Sequence, residues 1–369
     1  MKYGLINWLG ICLIVIALSI FVALMPSHKN VGNEGFWHLQ NKDNVWWFVS
    51  PKGDKQFMNM VQTVNPKQES MDPNGPHFES KDYKGDLDLW AVLTADRIKS
   101  WGFKGVGAWS NPALHSYIPF SRDLNLTKWT HHNIEDEEWE SEIEKAIIIQ
   151  VSHLKNEKNL IGYYTDNEMD WIRNEQYAEK YFEVTSRLLK KYDPNHLNLG
   201  VRYNLRPPIS VIKASKGRID ANSVNQYLDT PQAYKNMIRE IFEITGRPII
   251  ITEFSFIAPD GLSGNKNLKW AGYGRVATRD QRAYSYSAFV EGIASTSFII
   301  GCDWFQFNDE PPAGRGDGED MNCGIVSVYD EEYPEMIDAV RRSSARVNQI
   351  HENSTPDQLD VVWRNDPIR

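Results

Sequence analysis

Along this chain, short unbroken apolar runs alternate with longer segments whose apolar positions recur at helical spacing. The runs at 57–64, 103–108, 116–120, 160–164, 197–201, 221–224, 249–251 and 298–302 read as buried strands. Between and after them, 88–101, 136–158, 175–192, 209–216, 231–245, 280–294 and 333–351 read as helices. Local signals sharpen several boundaries: Gly102 closes the first helix, acidic residues open the second, and Pro231 and Gly246 bracket the fifth. Ahead of the first long strand, Trp46–Val49 and the run from Phe57 flank the turn residues 50–54, which predicts a short β-hairpin. Strands without alternation, each followed by a helix, are the pattern of a parallel sheet covered on both faces. About eight such units fit an α/β chain closed into a (β/α)8 TIM barrel, with the 116–120 strand the weakest member of the count.

The ends differ from this body. Residues 1–30 hold a nearly uncharged apolar run at 5–25, followed by Ser27-His28-Lys29-Asn30, and predict a signal peptide or a transmembrane anchor helix. Either reading exports the rest to a periplasmic or extracellular space, and contact with a membrane is expected only through 5–25 if that segment stays uncleaved. Residues 31–353 form the expected barrel domain and 354–369 a tail. The formal charge of −9 argues against a nucleic-acid partner. Thirteen tryptophans, in a chain that is 12% aromatic, hint at sugar-stacking platforms, with most of the rings expected in the core and only three or four in a site. Cys302 and Cys323 either pair in an oxidising compartment or are two small buried thiols.

The chemistry collects where the strands end. In order, those ends carry Asn65; Trp109 and Asn111; Asn167 and Glu168; Arg202 and Asn204; Asn225 and Tyr227; Glu253; Trp304 and Gln306. This is a ring of amides and aromatics around one arginine and two carboxylates. Ile249, Ile251 and Glu253 share one strand face, and a glutamate that ends so apolar a strand has little structural excuse. Neutral donors and acceptors in fixed places suit a hydroxyl-rich ligand, and two carboxyl groups suit cleavage of a glycosidic bond. No glycine-rich phosphate loop, no Gly-x-Ser-x-Gly elbow and no metal-spaced His/Cys/Asp set is present, so neither cofactor nor metal is expected. Several alternatives stay open. Asp166 competes with Glu168 as the acid. Arg202 either binds substrate or pairs with a carboxylate. Trp304 and Tyr227 are site or core residues, and Asn111 and Gln306 are ligand-binding or loop-stabilising. The acidic loop 317–320 is a solvated turn or a calcium site.

An Asn-Glu pair after the fourth strand, a lone glutamate after the seventh and an aromatic after the eighth resemble the clan A glycoside hydrolases. More narrowly, WWFVSPKGDKQF from Trp46, GYYTDNEMDW from Gly162, ITEFSF from Ile251 and GCDWFQFNDEP from Gly301 resemble the catalytic barrel of the family 50 β-agarases. That resemblance implies a retaining β-glycosidase acting on a β-linked galactan or its oligosaccharides. Glu168 would be the acid/base, Glu253 the nucleophile, Asn167 the partner of the hydroxyl beside the anomeric carbon, and Trp304 the floor of the −1 subsite. Tyr227 would donate to Glu253. A β-galactosidase or a carrageenan-oligosaccharide hydrolase of the same clan, a non-catalytic carbohydrate-binding barrel, and an anchored scaffold for a protein partner are the competing readings.

Overall fold

The structure, a computed structural model, describes residues 29–66, 85–204, 206–227, 231–265, 274–312, 314–315 and 318–357. Eight strands close into a parallel barrel: β5 Met58–Val61, β6 Gly105–Val106, β7 Phe120–Asp123, β8 Leu160–Asn167, β9 Leu197–Tyr203, β10 Asn222–Asn225, β11 Ile249–Phe254 and β12 Ile299–Trp304. Closure comes from β12 beside β5, in a register running from Gly301 opposite Met58 to Trp304 opposite Val61. Around the barrel lie α1 Leu87–Trp101, α2 Glu138–Val151, the single turn α3 Trp171–Asn174, α4 Ala178–Tyr192, α5 Ile209–Ser215, α6 Pro231–Thr245, α7 Arg279–Ala294 and α8 Pro334–Glu352. The apolar runs form strands because both faces are covered, by the barrel interior and by these helices. The first helix starts where the Asp86 carboxylate accepts from the Leu89 N–H at 3.0 Å, and it ends where Gly102 turns left-handed at φ 107°.

Two expectations need correction and a third is extended. The expected hairpin is present as β3 Val45–Val49 antiparallel to β4 Lys55–Gln56 across the turn 50–54, within a four-stranded sheet that adds β1 Lys29–Val31 and β2 His38–Lys42. Between β2 and β3 the tight turn is Asp43-Asn44, both at positive φ (55° and 64°), the handedness that matches strand twist. The third barrel strand is Phe120–Asp123, while Pro112–Ser116 is a 3-10 turn begun by the proline. The helix expected over 136–158 stops at Val151 and gives way to turns. Cys302 and Cys323 are free and buried.

The small sheet plugs the end of the barrel where the strands begin. Trp46 N–H donates to Ser297 O, just ahead of β12, at 2.8 Å. The buried His351 ring bridges Trp46 O at 2.7 Å and Ala294 O at 2.9 Å. The residues just after α8 join this end too, with Ser297 N–H donating to Thr355 O at 3.3 Å. The opposite mouth lies at the C-terminal ends of the strands. Strand registers shift there between Tyr164 and Asn167, between Val224 and Asn225, and between Ile251 and Phe254. Such irregularities re-aim side chains at barrel rims. Among the described residues no helix is long and apolar enough to cross a membrane; the 5–25 run lies outside them.

Candidate active site

At the mouth, Glu253 is buried at 5% exposure and held from both sides. The Arg202 guanidinium reaches across from β9 to Glu253 Oε1 at 2.7 Å, and the Tyr227 hydroxyl donates to Oε2 at 2.7 Å. Arg202 is itself fixed: it donates to Gln62 Oε1 at 3.0 Å and to Thr252 O at 2.9 Å, and it pairs with Asp123 at 3.4 Å. Its guanidinium centre lies 4.4 Å from the Trp109 ring. Asp303, fully buried on β12, approaches the same group through Gln62. One guanidinium thus faces three buried carboxyl groups. Burial pushes Glu253 up to about 7; the charges of Glu168 and Glu319 add to the rise, while Arg202 and Tyr227 pull it back. Burial likewise pushes Asp303 up to about 7 and raises Asp123, both against the pull of Arg202.

Glu168 is organised differently. It follows β8 at this mouth, exposed, with a left-handed backbone at φ 50° that few non-glycine residues adopt. Its N–H donates to Arg202 O at 2.9 Å. The Asn225 amide donates to Glu168 Oε1 at 2.8 Å and to Asn167 Oδ1 at 3.1 Å. Thr252 Oγ1 donates to Asn225 Oδ1 at 2.9 Å, which fixes the flip of that amide. An exposed carboxylate on an amide bridge therefore acts on a buried carboxyl group held by a cation and a phenol. Backbone strain at Glu168 and at Trp109, whose φ is 59°, is the kind that collects at functional sites.

Not every candidate joins this group. Trp304 is fully buried on the outer face of β12: its ring packs edge-on against Phe254 and Tyr286, and its Nε1–H donates to Cys323 O at 2.8 Å. The strand period explains this, because Asp303 turns inward, Trp304 turns outward to α7, and Phe305 turns inward again. Phe305 meets Trp109 edge-on at 6.4 Å and is the aromatic ring beside the site. Asn111 caps the 3-10 turn, accepting from Ala113 N–H at 3.0 Å. Gln306 is buried and reaches Glu310 at 3.4 Å. Asp166 faces away from the mouth, bound by Thr127 N–H and Oγ1 and by the Tyr181 hydroxyl. Arg202 has no exposed side-chain surface and is a carboxylate partner.

The residues missed by sequence reasoning are Gln62, Asp123, Asp303 and Phe305. Asp303 carried a readable signal, a carboxylate inside the apolar run 299–304. The long loop after β12 is pinned by Asp309, which accepts from Gly324 N–H at 2.7 Å, from Ser263 Oγ at 2.9 Å and from the Tyr333 hydroxyl. Among the described residues no cluster of His, Cys, Asp and Glu could hold a metal ion; Asp317 lies outside them.

No protein-family model matches the chain. Beta-agarase A of Vibrio sp. (strain JT0107) is 24% identical over 363 residues, covering 69% of this chain and 35% of that protein. Beta-agarase B of the same strain is 32% identical over 180 residues, covering 48% of this chain and 18% of that protein. The chain thus spans about a third of the first relative's length and under a fifth of the second's. A solved structure described as an exo-beta-agarase superposes with a TM-score of 0.73 at 19% identity, covering 87% of this chain and 66% of that one. At that identity the likeness is one of fold.

Proposed function

We propose that the chain is a retaining β-glycosidase that hydrolyses a β-linked galactan or its oligosaccharides as a β-agarase does, with Glu253 as nucleophile and Glu168 as acid/base. The observation that carries the reading is the clamp on Glu253: a buried carboxyl group held by a guanidinium and a phenol, across the mouth from a carboxylate held by an amide. In the first step Glu168 gives its proton to the departing glycosidic oxygen while a Glu253 oxygen attacks the anomeric carbon and forms an ester. In the second, Glu168 takes a proton from water, the water oxygen attacks the same carbon, and Glu253 leaves as carboxylate. Arg202 and Tyr227 stabilise that leaving carboxylate. Asn167, with its Oδ1 taken by Asn225, keeps its NH2 to donate to the neighbouring sugar hydroxyl. Retention is the outcome this reading requires, and it calls for the two carboxyl groups to stand about 5–5.5 Å apart.

The galactan assignment is supported by the two relatives named as β-agarases and by the amides Asn167 and Asn225 and the rings of Trp109 and Phe305 beside the carboxyl groups. Export by way of residues 5–25 belongs to the same proposal, as does the division into an N-terminal segment, a barrel domain and a tail. The test compares the intact protein with Glu253→Gln and Glu168→Ala on agar oligosaccharides and on aryl β-galactosides. Glu253→Gln loses turnover on both. Glu168→Ala loses about 10²- to 10⁴-fold on oligosaccharides and much less on aryl glycosides, whose leaving groups need little protonation. An intact protein that binds these sugars and never cleaves them is a carbohydrate-binding barrel instead.

A further inference from the structure

Every tryptophan among the described residues is buried except two, Trp109 at 37% exposure and Trp129 at 47%. Both lie in loops that leave the C-terminal ends of consecutive barrel strands, β6 and β7, on the side of the molecule where the carboxylates are. An indole left in water forgoes a large burial gain, and two confined to one rim are not scattered surface residues. Trp109 belongs to the nucleophile: Arg202 lies 4.4 Å from its ring. Trp129 lies in the loop after β7, the neighbour of the strand that Glu168 follows. Its 3-10 turn, Leu126–Trp129, is tied to β8 by Thr127, whose N–H and Oγ1 donate to Asp166 at 3.0 and 2.6 Å, two residues before Glu168. On the far side of Glu168, the turn Trp171–Asn174 leaves Ile172 73% exposed. The two loops flanking Glu168 thus each carry an exposed apolar side chain.

We infer that Trp129 is the stacking platform for the sugar on the leaving-group side of the scissile bond, an inference that rests on the hydrolase reading above. A general acid must stand at the glycosidic oxygen, so the departing sugar lies on the acid's side of the mouth. A pyranose has an apolar face of C–H groups that packs on an indole by dispersion. The sugar that stays with the enzyme lies on the Trp109 side, over Glu253.

The test measures kcat/KM of the intact protein, Trp129→Ala and Trp129→Phe on a neutral β-galactan oligosaccharide and on an aryl β-galactoside, which carries no second sugar. In Trp129→Ala the ratio of oligosaccharide to aryl kcat/KM falls roughly three- to tenfold, the size of one lost ring contact, and Trp129→Phe recovers most of it. A ratio unchanged within twofold, or both substrates falling together, overturns the inference while leaving the hydrolase reading in place. Turnover of neither substrate by the intact protein overturns both.

Discussion

Tyr227→Phe isolates one hydrogen bond. The ring volume is kept, and the hydroxyl that donates to Glu253 Oε2 at 2.7 Å is lost. That length is typical of a hydroxyl on a carboxylate, and a bond to a charged group contributes about 1.5–3 kcal/mol. Protonated Glu253 retains a weaker version of the contact, so the difference between the two states is about 1–2 kcal/mol, or roughly one pKa unit. The phenol favours the carboxylate form, so removing it raises Glu253 further. Activity that needs the carboxylate is lost as pH falls through the Glu253 value, about 7 in the intact protein. In Tyr227→Phe the acidic limb of kcat/KM therefore moves to about pH 8. The ionised fraction at pH 7 drops from about a half to about a tenth, a loss of roughly fivefold that fades above about pH 9. The assay is a pH profile of kcat/KM on an oligosaccharide substrate. A limb that stays in place while activity falls equally at every pH refutes the electrostatic argument and makes Tyr227 a steric support.

Three further outcomes follow from the same geometry. In Gly107→Ala the new methyl meets Gln62 Cγ at 2.7 Å and Asp303 Oδ2 at 2.8 Å; denaturant unfolding should show a loss of about 1–3 kcal/mol, and parental stability would mean the polar interior can yield. Asp166 is pushed from 3.8 up to about 7 by burial, so its contribution to stability is fully present below about pH 4 and lost as pH rises through 7. Melting temperatures of Asp166→Asn across that window should fall less steeply than the parent's, with the pH profile of catalysis unmoved; a displaced catalytic limb would return Asp166 to the chemistry. Asn225→Ala releases Glu168 and Asn167 together, so kcat should drop more than KM rises; a change confined to KM would place Asn225 in binding alone.

What the sequence reveals and hides follows from burial. Strands with both faces covered, such as Ile249–Phe254, announce themselves as apolar runs. Strand β7 reads Phe-Ser-Arg-Asp because the end of it points into a polar interior, where Asp123 meets Arg202; no hydrophobic pattern marks such a strand. Glu253 was visible because a carboxylate after apolar residues is anomalous. Asp303 posed the same anomaly beside a more conspicuous tryptophan. Choosing Trp304 over Phe305 as the aromatic of the mouth is a one-residue matter of which face a strand end presents, and β12 settles it only through packing on Phe254 and Tyr286. The Arg202 pairing depends on three strands meeting in space, which spacing along the chain does not encode.

The central claim is that Glu253 attacks the sugar. Its most direct measurement is peptide mass spectrometry of the protein after reaction with a 2-deoxy-2-fluoro β-galactoside bearing an activated leaving group, which slows release of the covalent intermediate. The account predicts one glycosyl adduct, on the peptide containing Glu253 and absent in Glu253→Gln; an adduct on another carboxylate, or turnover with inverted configuration and no adduct, would contradict it.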